Sequence, residues 1–252
     1  MDLKKTFLKY VLASAVTLLA VHDVHAQYSC NYEEFTPRLQ LKGHAGTSLF
    51  FGDIKHNPFF PAFTPKSEWG FAAGISVEYQ ISYVFGAGME GMYGNLKGNR
   101  PQWDVYFVSD YFETNIYGTI NFNNLFGKKR KKRFFSVYGL LGIGLVHYNT
   151  LARSLQTGEI ILLLGEGSGK SVKGRTLEGI AIYGLGFDFR LNDLSSIQFE
   201  IANRMMNSDK MDGWVNGYPY DFYNYASIGY VYKFKFKKKR KRSYPPVRHR
   251  AD

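Results

Sequence analysis

The chain has 252 residues, a formal net charge of +11, 45% hydrophobic residues, 17% aromatics and a mean hydropathy of -0.26. A bundle of membrane helices is excluded, because it needs repeated apolar runs of about 20 residues and none follows the first 26 positions. Aromatics at this density can bury too much surface for an intrinsically disordered chain, and the single cysteine, Cys30, leaves no intrachain disulfide framework and no multi-cysteine zinc site.

The first element is an export signal. Lys4, Lys5 and Lys9 precede the apolar run Val11–Val21 and the small-residue pattern Val24-His25-Ala26, which predicts a secretory signal over 1–26, cleavage after Ala26 and Gln27 as the mature N-terminus. An apolar run of about 11 residues cannot cross about 30 Å of hydrocarbon, so it does not read as an anchor. Gln27-Tyr28-Ser29 lacks the aliphatic residue that a lipidated Cys30 would need. Residues 27–37 are expected to form a periplasmic N-terminal segment.

From there the sequence alternates with period two, and eight amphipathic strands are predicted. The first, Arg38–Phe51, sets Leu39, Leu41, Ala45, Leu49 and Phe51 against Gln40, Lys42, His44 and Ser48. The second, Trp69–Gln80, sets Phe71, Ala73, Ile75, Val77 and Tyr79 against Ser76, Glu78 and Gln80. The third, Tyr83–Gly94, puts Glu90 on its polar face, and the fourth, Tyr111–Phe122, puts Glu113, Asn115 and Thr119 there. The fifth, Phe134–Tyr148, is apolar on both faces and its phase is open. The sixth, Thr176–Leu191, carries Glu178, Asp188 and Arg190 opposite Leu177, Tyr183 and Leu185; the seventh, Ser196–Met205, carries Glu200 and Arg204 opposite Ile197, Phe199 and Ile201. The eighth, Asn224–Phe236, carries Tyr225, Ser227, Gly229 and Lys233 opposite Ile228, Tyr230, Tyr232 and Phe234.

A soluble sandwich and a membrane barrel both fit such alternation. The polar faces are mostly Gly, Ser, Asn and Thr, which suits a narrow lumen better than a water-exposed surface. An eight-stranded antiparallel transmembrane β-barrel over 38–236 with long extracellular loops is therefore expected. Its lumen would hold Lys42, Arg190, Arg204 and Lys233 against Glu78, Glu90, Glu113, Glu178, Asp188 and Glu200, paired because an unpaired charge there is costly. Connections alternate long and short, apart from the fourth, as outer loops and periplasmic turns do.

The positive charge is concentrated in Lys128–Arg133 (KKRKKR) and Lys235–Arg242 (KFKKKRKR), and the rest of the sequence is slightly acidic. Strand parity puts both runs on the periplasmic side, the second opening a basic tail over 237–252. Export removes a nucleic-acid reading. The partner-binding candidates are Lys128, Lys129, Arg130, Lys131, Lys132, Arg133, Lys237, Lys238, Lys239, Arg240, Lys241 and Arg242, facing anionic lipid head groups or an acidic face of a periplasmic protein. Ser227, Gly229, Tyr232 and Phe234 fit polar-x-Gly-x-x-aromatic-x-aromatic, similar to the terminal signal read by the barrel-assembly machinery.

The segments GTSLFFGDIK (46–55), YGNLKG (93–98), YFETNIYGTINFNNLF (111–126), VYGLLGIGL (137–145), FRLND (189–193) and NRMMNSDKMDG (203–213) together resemble outer-membrane barrels of Bacteroidota, including the OmpA-like N-terminal barrel and the PorG-type barrel of type IX secretion. The peptidoglycan-binding domain of OmpA-like proteins has no counterpart after the predicted barrel. The resemblance thus implies a stand-alone barrel of PorG type.

Catalytic, metal and cofactor roles are not expected. LLLGEGSGKS (162–171) has Leu164 where a phosphate loop needs Gly and reads as a flexible outer loop; His44, His56 and His147 are scattered singly; Asp209, Asp212 and Asp221 do not match a calcium-loop spacing. The expected function is a non-enzymatic anchor or scaffold for a periplasmic assembly, with type IX secretion as the case the resemblance implies. An envelope-stability or adhesion barrel acting through its outer loops and a lipid-modifying enzyme are the alternatives. Outer-membrane lipids are the expected surroundings.

Overall fold

Side chains of a β-strand point alternately to its two faces, so the alternating segments above can close a sheet with one face in lipid and the other in the lumen. The computed structural model describes residues 38–56, 63–127, 133–165, 174–214 and 220–235. Its elements are β1 (Arg38–Phe51), β2 (Trp69–Gln80), β3 (Phe85–Arg100), β4 (Val105–Asn121), the short helix α1 (Phe122–Phe126), β5 (Phe135–Ser154), β6 (Ile160–Leu164), β7 (Thr176–Arg190), β8 (Ser195–Met206) and β9 (Phe222–Lys235). All pairings are antiparallel between chain neighbours, except that β7 follows β5 in the wall and β6 adds only to the upper part of β5. The ring closes where β1 pairs with β9, from Arg38 opposite Lys235 to Phe51 opposite Phe222.

The facing of side chains identifies the solvent. Ile75 of β2, Met89 of β3, Ile116 of β4 and Leu141 and Ile143 of β5 are each about 60% exposed on the outside of the wall, while Lys42, Glu90, Glu113, Glu200 and Arg204 are buried inside. No water-soluble protein gains from that arrangement, since apolar area left in water is unfavourable and buried charge is costly. Aromatic side chains border the band. Trp69, Phe71 and Tyr93 lie toward the outer end, and Tyr79, Phe85, Phe135, Tyr232 and Phe234 toward the end that holds Arg38 and Lys235. The chain is a transmembrane β-barrel.

The lower connections at 81–84 and 191–194 are tight turns. The third lower connection is opened by α1, whose N-cap Asn121 accepts from the Asn124 N–H (2.9 Å). Asn124 in turn donates to the Tyr83 carbonyl (2.8 Å), which ties the helix beneath β3.

Predicted and observed strand ends agree closely for β1 and β2, and to within a residue or two for β7, β8 and β9. The main difference lies at the outer end. β3 runs on to Arg100, β4 begins at Val105 and β5 runs on to Ser154, so the expected long third loop is the turn Pro101–Asp104. In that extension the apolar phase inverts: Leu96 on β3 and Val105 and Phe107 on β4 point inward, as Met92 already does just before it. Above the membrane the strands stand in water, and their apolar side chains are buried inside. Asp104 sits in the left-handed region (φ 56°), which Asp tolerates better than most residues. From there its carboxylate accepts from the Ser154 hydroxyl (2.6 Å) and the Gln156 N–H (3.0 Å), clasping the β3–β4 tip to the end of β5.

The predicted flexible loop over 162–171 is partly ordered, since Leu162–Leu164 belong to β6, while 166–173 lie outside the described residues. Also outside are 1–26, where an export signal is expected, the segment 27–37, Lys128–Lys132 and everything from 236 on.

Candidate functional site: the barrel interior and its outer cap

An eight-stranded barrel has an interior just wide enough for its own side chains, and this one is layered. Lowest, Lys233 Nζ lies 3.3 Å from Asp188 Oδ2, and Gln198 donates to the other carboxylate oxygen (3.2 Å). Above it, Lys42 Nζ meets Glu200 Oε2 at 3.0 Å, and the Tyr138 hydroxyl donates to the same oxygen (2.9 Å). Glu78 accepts from the Thr119 hydroxyl (3.2 Å).

The densest layer centres on Arg204, which is 1% exposed. Its Nε donates to both oxygens of Glu113 (2.8 and 3.1 Å) and its Nη2 to Glu90 (3.1 Å). Two carboxylates share one guanidinium, and neutral donors complete their shells: Tyr223 OH to Glu113 (2.6 Å), and Asn115 Nδ2 to Glu113 (2.7 Å) and Glu90 (3.2 Å). His44 Nε2 stands 3.4 Å from Glu90, and its Nδ1 is 2.9 Å from the Tyr225 hydroxyl. The Tyr225 ring lies 5.1 Å from the guanidinium.

Of the ten lumen residues read from the sequence, Lys42, Glu90, Glu113, Asp188, Glu200, Arg204 and Lys233 are brought into ion pairs. Glu178 and Arg190 lie on inward positions of β7 and form no ion pair among the described residues. Tyr138 and Tyr223 were missed as participants. Tyrosine reads as a lipid-belt residue in a barrel sequence, and only strand phase distinguishes an inward hydroxyl from an outward ring. On β9, Ser227 is buried and inward, whereas Tyr232 and Phe234 face out with rings 4.9 Å apart; Gly229 packs against His44 and Lys42.

Higher still, Phe50, Leu96, Phe107, Met206 and Met211 form an apolar layer, with the Phe50 and Phe107 rings edge to face at 4.9 Å. The connection from β8 to β9 closes over it. Asp212 accepts from the N–H groups of Ile54 (3.0 Å) and Trp214 (2.8 Å), Asp221 accepts from that of Met211 (2.8 Å), and Thr150 donates to the Met211 carbonyl (2.6 Å). Beside this cap, Phe51, Asp53, Lys55, His56, Arg100 and Tyr220 line a cleft of about 440 Å³.

Burial raises the Asp212 carboxyl to about 6 and the Asp221 carboxyl to about 8. Asp53 and Asp209 push both in the same direction, and the backbone N–H donors oppose it. Both values exceed the ordinary 3.8, so the folded cap retains protons that the unfolded chain has lost; stability therefore falls as pH rises from about 4 to about 8 and levels beyond. Urea unfolding of the refolded barrel is expected to show a lower midpoint at about pH 8.5 than at about pH 5, and Asp221→Asn to remove most of the decline above about pH 6. A midpoint that rises with pH would contradict the protonated cap.

The three histidines that a catalytic reading would need are separated. His44 is inside, His56 is in the first outer connection, where its N–H donates to Glu68 (2.6 Å), and His147 lies on the outward phase of β5.

No protein-family model matches this chain, and no curated protein matches it. Among solved structures it is similar to Ail, the attachment invasion locus protein of Yersinia pestis, in complex with the heparin analogue sucrose octasulfate. That likeness has 14% identity over 79% of this chain and 100% of that chain, with a TM-score of 0.42. It is also similar to Neisserial surface protein A (13% identity, 79% and 97% coverage, TM-score 0.41) and to a major outer membrane protein from Thermus thermophilus (8% identity, 79% and 100% coverage, TM-score 0.44).

Proposed function

We propose that the protein is a non-enzymatic outer-membrane barrel that anchors a periplasmic assembly, with type IX protein secretion the case implied by the resemblance to Bacteroidota barrels. The observation that carries this reading is the filled interior: an Arg204–Glu90–Glu113 cluster beneath an apolar layer makes a rigid plug rather than a diffusion path. Such a barrel acts through what it presents at its ends.

At the lower end, Gly127 precedes the first basic run and Arg133 closes it, and Lys235 opens the second. Beside the first run, α1 exposes Leu125 and Phe126, and apolar side chains next to cationic ones suit a lipid interface. The cationic runs, which apart from Arg133 and Lys235 lie outside the described residues, would then face an acidic surface of a periplasmic partner. Replacing Lys128–Arg133 and Lys237–Arg242 by Gln in the full chain is expected to abolish recovery of that partner after cross-linking in intact envelopes while leaving membrane insertion unchanged. Undiminished recovery would remove the electrostatic basis of the anchor.

An adhesion role is favoured by one observation at the other end, where Trp103 and Trp214 pair at 5.4 Å and stay partly exposed. Loss of cell attachment in a Trp103→Ala, Trp214→Ala variant with intact partner recovery would select that reading.

A further inference from the structure

The lipid-facing side of β3, β4 and β5 carries a depression that the interior does not explain. Ile75, Gly91, Thr114 and Leu145 are cross-strand neighbours in one outward row. With no side chain at Gly91 and a short one at Thr114, the row is notched into a furrow of about 650 Å³ with Ile75 and Leu145 at its two ends and Met89, Ile116 and Ile143 in the row below. A Cβ built on Gly91 meets nothing within 4 Å. The next outward position on β3 is Tyr93, in the outer aromatic border. The furrow therefore opens to the hydrocarbon of the outer leaflet, where only an acyl chain can fill it.

Directly above, the same wall turns cationic. Lys66 Nζ lies 3.8 Å from the centroid of the Tyr106 ring. Arg153 pairs across from Tyr106, and Lys97 across from Val108, the next outward residue of β4. Lys66 and Lys97 have no carboxylate partner among the described residues, and Arg153 donates to the Gly158 carbonyl (3.1 Å). Asp110 lies on the outward phase of β4 between the furrow and Lys97, and Glu159 lies beside the end of β5, so three cations stand against two carboxylates. Lys97 is six residues beyond Gly91 along β3, about 20 Å at about 3.3 Å per residue, or about 15 Å along the membrane normal at a tilt of about 40°. That separation matches a lipid whose chains occupy the furrow and whose phosphates reach the head-group layer.

We propose that the Gly91 furrow and the Lys66, Lys97 and Arg153 shelf form one site for a phosphorylated glycolipid of the outer leaflet, of the lipid A class. Lys97, with Arg153 and Lys66 one outward row beyond it, suits a head group with more than one phosphate, and charge complementarity favours it over a zwitterionic phospholipid. The site depends on the membrane-barrel fold and is independent of the anchoring role.

The test uses the full mature chain in detergent micelles, with bisphosphorylated lipid A as the probe and retained lipid read by native mass spectrometry. The wild type is expected to retain lipid A at least about tenfold better than its dephosphorylated form, and Lys97→Gln with Arg153→Gln to lose a similar factor, each cation contributing about 1 kcal/mol near a charged surface. Gly91→Leu, which grows into open space, is expected to lower retention with the phosphates intact. Gly118→Leu is the control, because Gly118 faces lipid lower on β4 with its nearest atom at 3.8 Å. Heat-modifiable gel mobility checks that each variant is folded. Equal retention of the dephosphorylated lipid, equal competition by phosphatidylglycerol, or unchanged binding by the folded Lys97→Gln, Arg153→Gln variant would overturn the site.

Discussion

Arg204→Met is expected to destabilise the barrel by about 3–5 kcal/mol, the range for removing one partner of a buried ion pair. The guanidinium is 1% exposed and is the cation shared by Glu90 and Glu113. Without it, two carboxylates would stand together in the lumen with Tyr223, Asn115 and His44 as their close polar neighbours among the described residues. The measurement is the urea midpoint of the refolded barrel in phosphocholine vesicles, followed by the heat-modifiable gel shift. Adding Glu90→Gln and Glu113→Gln to Arg204→Met should restore much of the loss, because the cost lies in the uncompensated charge and not in the missing contacts. A midpoint unmoved by Arg204→Met would show that the lumen is wet enough to solvate both carboxylates, and a lumen that wet is not a plug.

Ile143→Arg is expected to cost about 2–4 kcal/mol, as a cation on the lipid face near the midplane does, whereas the same change at His147, one turn of the pleat above Leu145 on the same outward phase, should cost about 0–1 kcal/mol near the interface. Ile143 is 64% exposed in the middle of the apolar band, so a soluble protein would accept arginine there with almost no penalty. Comparing the two variants in vesicles separates lipid exposure from a general intolerance of β5. Equal, small costs at both positions would place β5 in water and contradict the membrane-spanning assignment.

The wall of the barrel was legible because lipid and lumen impose opposite chemistry on successive residues. β2 is the clearest case: Phe71, Ile75 and Val77 alternate with Gly70, Ser76 and Glu78, and its predicted and observed limits coincide. β5 was less legible because Leu140 and Val146 face inward while Leu141 and Leu145 face lipid, so hydropathy carries no phase there and only pairing with β4 and β7 settles it. The outer halves of β3 and β4 escaped for a different reason. The apolar phase inverts as the strands leave the membrane, and a reading that follows one phase stops at Gly94 and Tyr111, where the solvent changes rather than the strand.

The interior was legible in composition but not in partnership. Glu90, Glu113 and Arg204 stand on polar phases of three separate strands, and the sequence by itself determined that each points into the lumen. Which carboxylates share the guanidinium depends on stagger around the ring, since β3 and β4 meet β8 only through the closed wall and across its interior; that is a tertiary fact. The same holds for the lipid-facing furrow and the cations above it, which lie on strands and a loop far apart in the chain. The eight strands of the closed wall, their facing and membrane residence follow from a period of two in the amino-acid order, because that period is a property of the backbone, whereas the added strand β6 carries no such period. The pairing of charges, the inverted outer core and the capped mouth follow only from closure, because closure sets which side chains share a height in the barrel.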